Sequence, residues 1–156
     1  RPEAEASEVW KSIQDAYPTV AGFQGYVERM LMSEGSVHTL LGWTVELPTY
    51  RSPVSSERAE AIRTGASVIV QGSAGDVLKL WMCRVNDKCR LLGAELLLSV
   101  YDELGIACPE GSVDELARIL QSELTEIGHE LQLLVPLECT TTSGPSWGQQ
   151  GERIRV

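Results

Sequence analysis

The sequence predicts an α+β domain in which a short antiparallel sheet is covered on one face by helices. Apolar residues recur at helical spacing in several separate segments, two short apolar runs flank a polar Tyr-Asp-Glu junction, and a small β pattern turns at a glycine. The chain has 156 residues, 43% of them hydrophobic, which suits one ordinary domain with a genuine core. We assign residues 1–150 to that domain and 151–156 to a tail.

From Ser7 to about Tyr17, the apolar residues Val9, Trp10, Ile13 and Ala16 share one helical face, and Pro18 stops the pattern. A second helix carries Val20, Phe23, Val27, Met30 and Leu31, with Gly35 placed as its C-cap. Between Ser36 and Pro48 the pattern shortens to a small β-hairpin turning at Gly42. Residues 50–56 form a connector.

Ser56 with Glu60 opens a long helix whose stripe is Ile62, Ala66, Ile69, Ser73, Val77, Leu80 and Arg84, running to about Val85. Gly65, Gly72 and Gly75 lie inside it. Each costs about 1 kcal/mol relative to Ala, so the helix is expected to bend or to have something packed against its backbone. After a turn from Asn86 to Gly93 come two strands of the mostly buried kind, Ala94–Val100 and Leu104–Cys108, joined by Tyr101, Asp102 and Glu103. Ser112 caps a helix from Val113 to about Ile127, and a last strand runs from Leu133 to Thr142.

No stretch reaches the roughly 20 apolar residues of a membrane span, and no signal pattern opens the chain, so a soluble, cytoplasmic protein without a membrane partner is expected. Arg1 in place of an initiator Met suggests a trimmed, processed or partly observed chain. Cys83, Cys89, Cys108 and Cys139 lack metal-binding spacing and read as buried thiols. The net charge of -9 opposes independent nucleic-acid binding, which normally shows as a basic patch. His38 and His129 have no nucleophile suited to them and read as surface or hairpin residues.

Asp102 and Glu103 are the chemical feature of the chain. A carboxylate between two buried strands costs several kcal/mol unless it is paired or metal-bound. Magnesium, held by one or two carboxylates plus waters and phosphates, would compensate. A plain turn with exposed acids fits the spacing as well.

The segment from Leu96 to Leu104, LLLSVYDEL, resembles the LLQVHDEL motif of family A (polymerase I-like) DNA polymerases. Residues 68–80 resemble the family's NxPxQGSAADxxKLA helix, and residues 135–138 with 144–148 resemble its terminal VPLxVxxxxGxxWG. Residues 35–42 are similar to GYVxTLxGRRRxLP, and 17–20 to FPxV. These matches run in the family's order from about residue 5 to residue 149, across most of the chain.

The resemblance implies a partial polymerase palm, with a small β-hairpin near its N-terminal helices. Its chemistry would be two-metal phosphoryl transfer using Mg²⁺. Asp102 matches one of the two metal-binding catalytic aspartates, and Glu103 matches the acid beside it. Gln71 and Arg63 match residues that hydrogen-bond the minor-groove side of the primer-template, where the pattern checks pair geometry more than base order. Tyr101 stands at a primer-phosphate position. Lys79 and Arg58 match basic positions, but ordinary solvated charges explain both equally well.

Nothing resembles the DYSQIELR motif that carries the other aspartate, nor the fingers helix. The resemblance therefore implies a partner polymerase chain that supplies both, with primer-template DNA and dNTP bound in the assembled enzyme. A split polymerase of this kind would suit a compact phage or viral genome, placing it in the host cytoplasm. A palm without its central strand should also expose a sheet edge and apolar surface, implying an obligate partner or self-association.

Several positions depart from the family. Tyr101 replaces a His, Trp43-Thr44-Val45 an arginine run, Ser67 an Asn, Ile69 a Pro and Ile62 a Glu. Most of these changes remove charge from the DNA-facing side. They motivate an alternative reading as a non-catalytic, palm-derived interaction module of a replication complex.

Overall fold

The computed structural model describes residues 3–149, 151 and 153–154. Helices and antiparallel strands alternate irregularly, as an α+β chain should. The chain divides into two compact units, Arg1–Ser73 and Ala74–Val156.

The first unit begins with α1 (Glu3–Ala16) and α2 (Pro18–Glu34). Pro18 is tolerated because the first turn of a helix leaves its N–H groups unpaired in any case. Gly35, with φ 75°, ends α2 by donating its N–H to the Leu31 carbonyl at 3.0 Å, the C-cap the sequence predicted. Strands β1 (Ser36–His38) and β2 (Thr44–Glu46) form the expected hairpin, with Val37 opposite Val45 and Gly42 at φ 84° in the turn. His38 ties it to α2, bonding Glu34 from Nε2 at 2.6 Å and Thr44 Oγ1 from Nδ1 at 2.9 Å. A 3₁₀ turn over Pro48–Arg51 leads from the hairpin into the connector.

Helix α3 (Ser55–Ser67) is followed by a π turn over Val68–Gly72. The core beneath them is Val27, Leu31 and Val37, packed by Phe23, Ile62, Ala66 and Ile69 among others. Gly65 permits this packing, since a Cβ there would lie 2.8 Å from Val27 Cγ1 and 3.2 Å from Val37 Cγ1. Of the two expectations raised by the glycines, the close approach is thus present at Gly65 and at Gly72, where a Cβ would lie 2.7 Å from Thr39 Cγ2. Gly75 has nothing within 4 Å of a Cβ position.

The second unit is built on α4 (Ser73–Leu91) and α5 (Val113–Glu130). Their buried residues Trp81, Val85, Cys89, Leu116, Leu120, Leu124 and Ile127 form one core with Ala94. Three expectations fail here. The helix does not end near Val85 but at Leu91: Ala94 N–H bonds the Cys89 carbonyl at 2.8 Å, Gly93 N–H the Arg90 carbonyl at 3.1 Å, and Gly93 takes φ 68°. The buried stripe is Trp81, Val85 and Cys89, one residue beyond the expected Leu80 and Arg84, which are only half-buried. Ser112 precedes α5 without a side-chain cap bond, and its hydroxyl instead donates to the Leu92 carbonyl at 3.4 Å.

The strand expected over 133–142 is reduced to β5 (Thr141–Thr142), which pairs with β6 (Arg153–Ile154) inside the segment assigned as a tail. Leu133 instead closes α5, donating its N–H to the Gly128 carbonyl at 3.0 Å. Beyond it the Gln121 side chain bonds the extended backbone, accepting from Cys139 N–H at 3.0 Å and donating to the Leu137 carbonyl at 3.2 Å. Cys83 is exposed, contrary to the expectation of four buried thiols, while burial raises the thiol pKa of Cys89, Cys108 and Cys139.

Candidate functional site

In the second unit, β3 (Glu95–Val100) and β4 (Glu103–Ala107) form a two-stranded antiparallel ribbon. Val100 pairs with Glu103, so Tyr101 and Asp102 alone make the turn. Glu103 begins β4 instead of completing the loop, a correction to its predicted place. Tyr101 sits at φ 53°, a left-handed conformation costly for any residue with a Cβ. Such outliers gather at working sites. The register slips between Leu96 and Leu98, leaving Leu97 as a bulge opposite Gly105, and bulges of this type recur beside active sites.

The strands are not the buried kind expected. Burial alternates along β3 between exposed and half-buried residues, as it does when one face packs and the other is wet. Leu104 and Ile106 of β4 pack against the core of this unit. Tyr101, Asp102 and Glu103 are all exposed. The burial cost that the sequence implied for these acids is therefore absent, and nothing in the desolvation of Asp102 demands a cation.

The donor set still suits one. Asp102 and Glu103 are adjacent accessible carboxylates, and magnesium uses one or two carboxylates plus waters and phosphates. Among the described residues no group of three or more His, Cys, Asp and Glu could hold a metal ion.

In the first unit, Arg63 lies on α3 and Gln71 within the π turn, both exposed. Arg63 Nη2 pairs with Glu60 one turn earlier. The hairpin turn packs against this helical segment: a Cβ on Gly72 would lie 2.7 Å from Thr39 Cγ2, and Leu40 N–H donates to Ser73 Oγ at 2.8 Å. Arg63 and Gln71 thus belong to one compact unit, and Tyr101, Asp102 and Glu103 to the other.

Sequence reasoning passed over Asp76, a carboxylate only 5% exposed, with Lys79 Nζ 3.1 Å from its Oδ1. Burial of an ionised acid requires such compensation. Lys79, for which the sequence leaves both a matched basic position and an ordinary solvated charge open, pairs with it from an exposed position, its stem reaching back. The available signal was an acid one turn before Lys79 in an otherwise apolar helical run.

The family model described as DNA polymerase family A matches residues 2–149. The thermostable DNA polymerase I of Thermus filiformis is 36% identical over 127 residues, spanning 80% of this chain and 15% of the relative. The DNA polymerase I of Treponema pallidum is 33% identical over 136 residues, spanning 86% of this chain and 13% of the relative. Among solved structures, the POL domain of Pol1 from M. smegmatis, in complex with DNA primer-template and dNTP, superposes with a TM-score of 0.74 at 27% identity. That match covers 80% of this chain and 22% of that one. The chain therefore spans a small part of each protein it matches, and the motifs read from its sequence fall within the matched residues. Sequence and fold agree that this chain belongs to the family A DNA polymerases.

Proposed function

We propose that the chain is the C-terminal palm portion of a DNA-directed DNA polymerase, contributing one metal-binding aspartate and part of the primer-template surface. The observation that carries the reading is Asp102, exposed in a two-residue turn of a bulged ribbon within the segment that resembles the family's LLQVHDEL motif. Mg²⁺ bound there would neutralise charge on the transferring phosphates and activate the primer hydroxyl. Asp102 would be the ligand from this chain, with Glu103 beside it. Tyr101 would face the primer backbone as a hydrogen-bond donor, having lost the positive charge open to a His. Arg63 and Gln71 would face the minor groove of the duplex.

The second aspartate and the fingers would come from outside these 156 residues, on a partner polymerase chain. Exposed apolar side chains support the need for cover: Val9, Trp10 and Ile13 on α1, and Leu40, Leu41 and Trp43 on the hairpin. With a net charge of -9, the chain alone should bind DNA weakly.

The test is reconstitution with a chain carrying the missing aspartate motif. Mg²⁺-dependent primer extension should appear and be abolished in Asp102→Ala. Because Asp102 is exposed, that variant should unfold within about 0.5 kcal/mol of the parent, separating catalysis from folding. Extension unaffected by the substitution would defeat the catalytic role. Unchanged assembly and replication activity would instead favour a non-catalytic interaction module, a reading motivated by Tyr101 and by Trp43-Thr44-Val45 in place of arginines.

A further inference from the structure

The π turn at Val68–Gly72 interrupts a helical stretch that a regular α-helix could have spanned. Single π turns are rare and are frequent at functional sites. This one alters helical phase. Gln71 lies eight residues after Arg63, which in an unbroken α-helix, at about 100° per residue, puts it about 80° around the axis. A π turn, with its i→i+5 bonding, advances only about 80° per residue. The three steps from Val68 to Gln71 therefore lose about 60°, returning Gln71 to within about 20° of Arg63. Two exposed hydrogen-bonding side chains that would otherwise diverge come to share one face.

A π turn needs something to hold it, because its hydrogen-bond geometry is less favourable than that of an α-helix. Ser73 supplies part of this. Its hydroxyl donates to the Ile69 carbonyl, a bond back onto the preceding turn that bends helices. The same oxygen accepts the Leu40 N–H at 2.8 Å, so a backbone amide of the hairpin turn fixes the direction in which the hydroxyl points. Thr39 seats the hairpin on the other side of this bond, its methyl resting where a Cβ on residue 72 would stand and its hydroxyl accepting Trp43 N–H at 3.1 Å. Leu40 N–H, Ser73 O–H and Ile69 C=O form a directed relay from hairpin to helix.

We infer that Ser73 and the Thr39-Leu40 turn are positioning residues, holding the π turn that places Gln71 on the helix face of Arg63. The inference rests on the reading that this face meets the duplex, and the experiment separates the two. Amide hydrogen exchange by NMR would follow the Leu40 N–H in the parent, Ser73→Ala and Ser73→Thr. Fluorescence anisotropy with a labelled primer-template at low salt would measure affinity for the same chains with and without Gln71→Ala.

We expect Ser73→Ala to speed Leu40 exchange and to weaken binding by the same factor as Gln71→Ala, about fivefold to tenfold. The double variant should bind no more weakly than either single one, and Ser73→Thr, which keeps the hydroxyl, should restore both readouts. Unchanged Leu40 exchange in Ser73→Ala overturns the relay. A full-sized Gln71→Ala effect in the Ser73→Ala background overturns the positioning role. If Gln71→Ala binds as the parent does while Leu40 exchange still responds, the duplex reading of that face fails, and the relay is reduced to a structural tie.

Discussion

Trp81 Nε1 donates to the Leu120 carbonyl at 3.0 Å, fastening α4 to α5 through a buried indole. Leu120 lies inside α5, where the helix ladder also serves its carbonyl, so losing the indole leaves no buried acceptor stranded. Trp81→Phe should therefore cost the net worth of one hydrogen bond plus a small packing loss, about 1–2 kcal/mol. Urea unfolding followed by far-UV circular dichroism checks it, with a lower midpoint at unchanged slope as the expected result.

Gly65 and Gly75 make an opposed pair. Both lie in helices, where Ala is better by about 1 kcal/mol. A methyl on Gly65 would stand 2.8 Å from Val27 and 3.2 Å from Val37, both fully buried, so Gly65→Ala should be net destabilising by about 1–2 kcal/mol. Gly75→Ala meets nothing within 4 Å and should stabilise by up to about 1 kcal/mol. Thermal unfolding of the two variants should move in opposite directions.

Tyr101 holds φ 53° while 94% exposed, so its backbone cost is offset by few contacts of its own. Tyr101→Gly should leave stability unchanged or slightly raised, relief of strain offsetting the entropy of glycine. Tyr101→Val, whose β-branch crowds the same conformation, should cost about 1–2 kcal/mol. Denaturant midpoints of both variants against the parent test this.

Arg84 grips Glu130 with both terminal guanidinium nitrogens, Nη1 at 2.9 Å from Oε1 and Nη2 on Oε2. The hydrogen bond from Arg84 holds the Glu130 carboxyl below the usual carboxylate range. A depressed folded-state value gives stability that is present above that range and lost as the pH falls through the folded value. Glu130→Gln should therefore unfold with a shallower loss of stability from about pH 4 downward, seen in thermal melts across an acid series. The pair is at the surface, so the difference should shrink in high salt.

Much of this architecture is legible in the residues themselves. Gly35 announces the end of α2, Gly42 the hairpin turn, and the apolar runs around Asp102 the β3–β4 ribbon. The features that escape such a reading are decided by side chains remote in sequence. The run from Leu133 has the look of a strand, but Leu133 closes α5, Leu134 is fully exposed, Pro136 has no N–H to give, and Gln121 serves the backbone where a neighbouring strand would have done so. Helix α4 outruns its prediction because Asn86 and Asp87 read as a turn, whereas Cys89 continues the buried face and Lys88 reaches Glu123 on α5. For the candidate site, residue types and motif order are legible, but the π turn is not, since only its hairpin neighbour reveals why Gln71 stands where it does.

The bulge at Leu97 makes the ribbon sensitive to parity. Side chains along a strand alternate faces, and two residues of β3 pass for one of β4 at the slip, so burial alternates unbroken along β3 while Leu104, Gly105 and Ile106 are half-buried in succession. A shorter β3 lacking only that leucine would keep nearly the same oiliness yet turn the ribbon's tip over. Removing one residue there should therefore change which side of the ribbon Ser99 and Val100 present, whereas removing two should keep it.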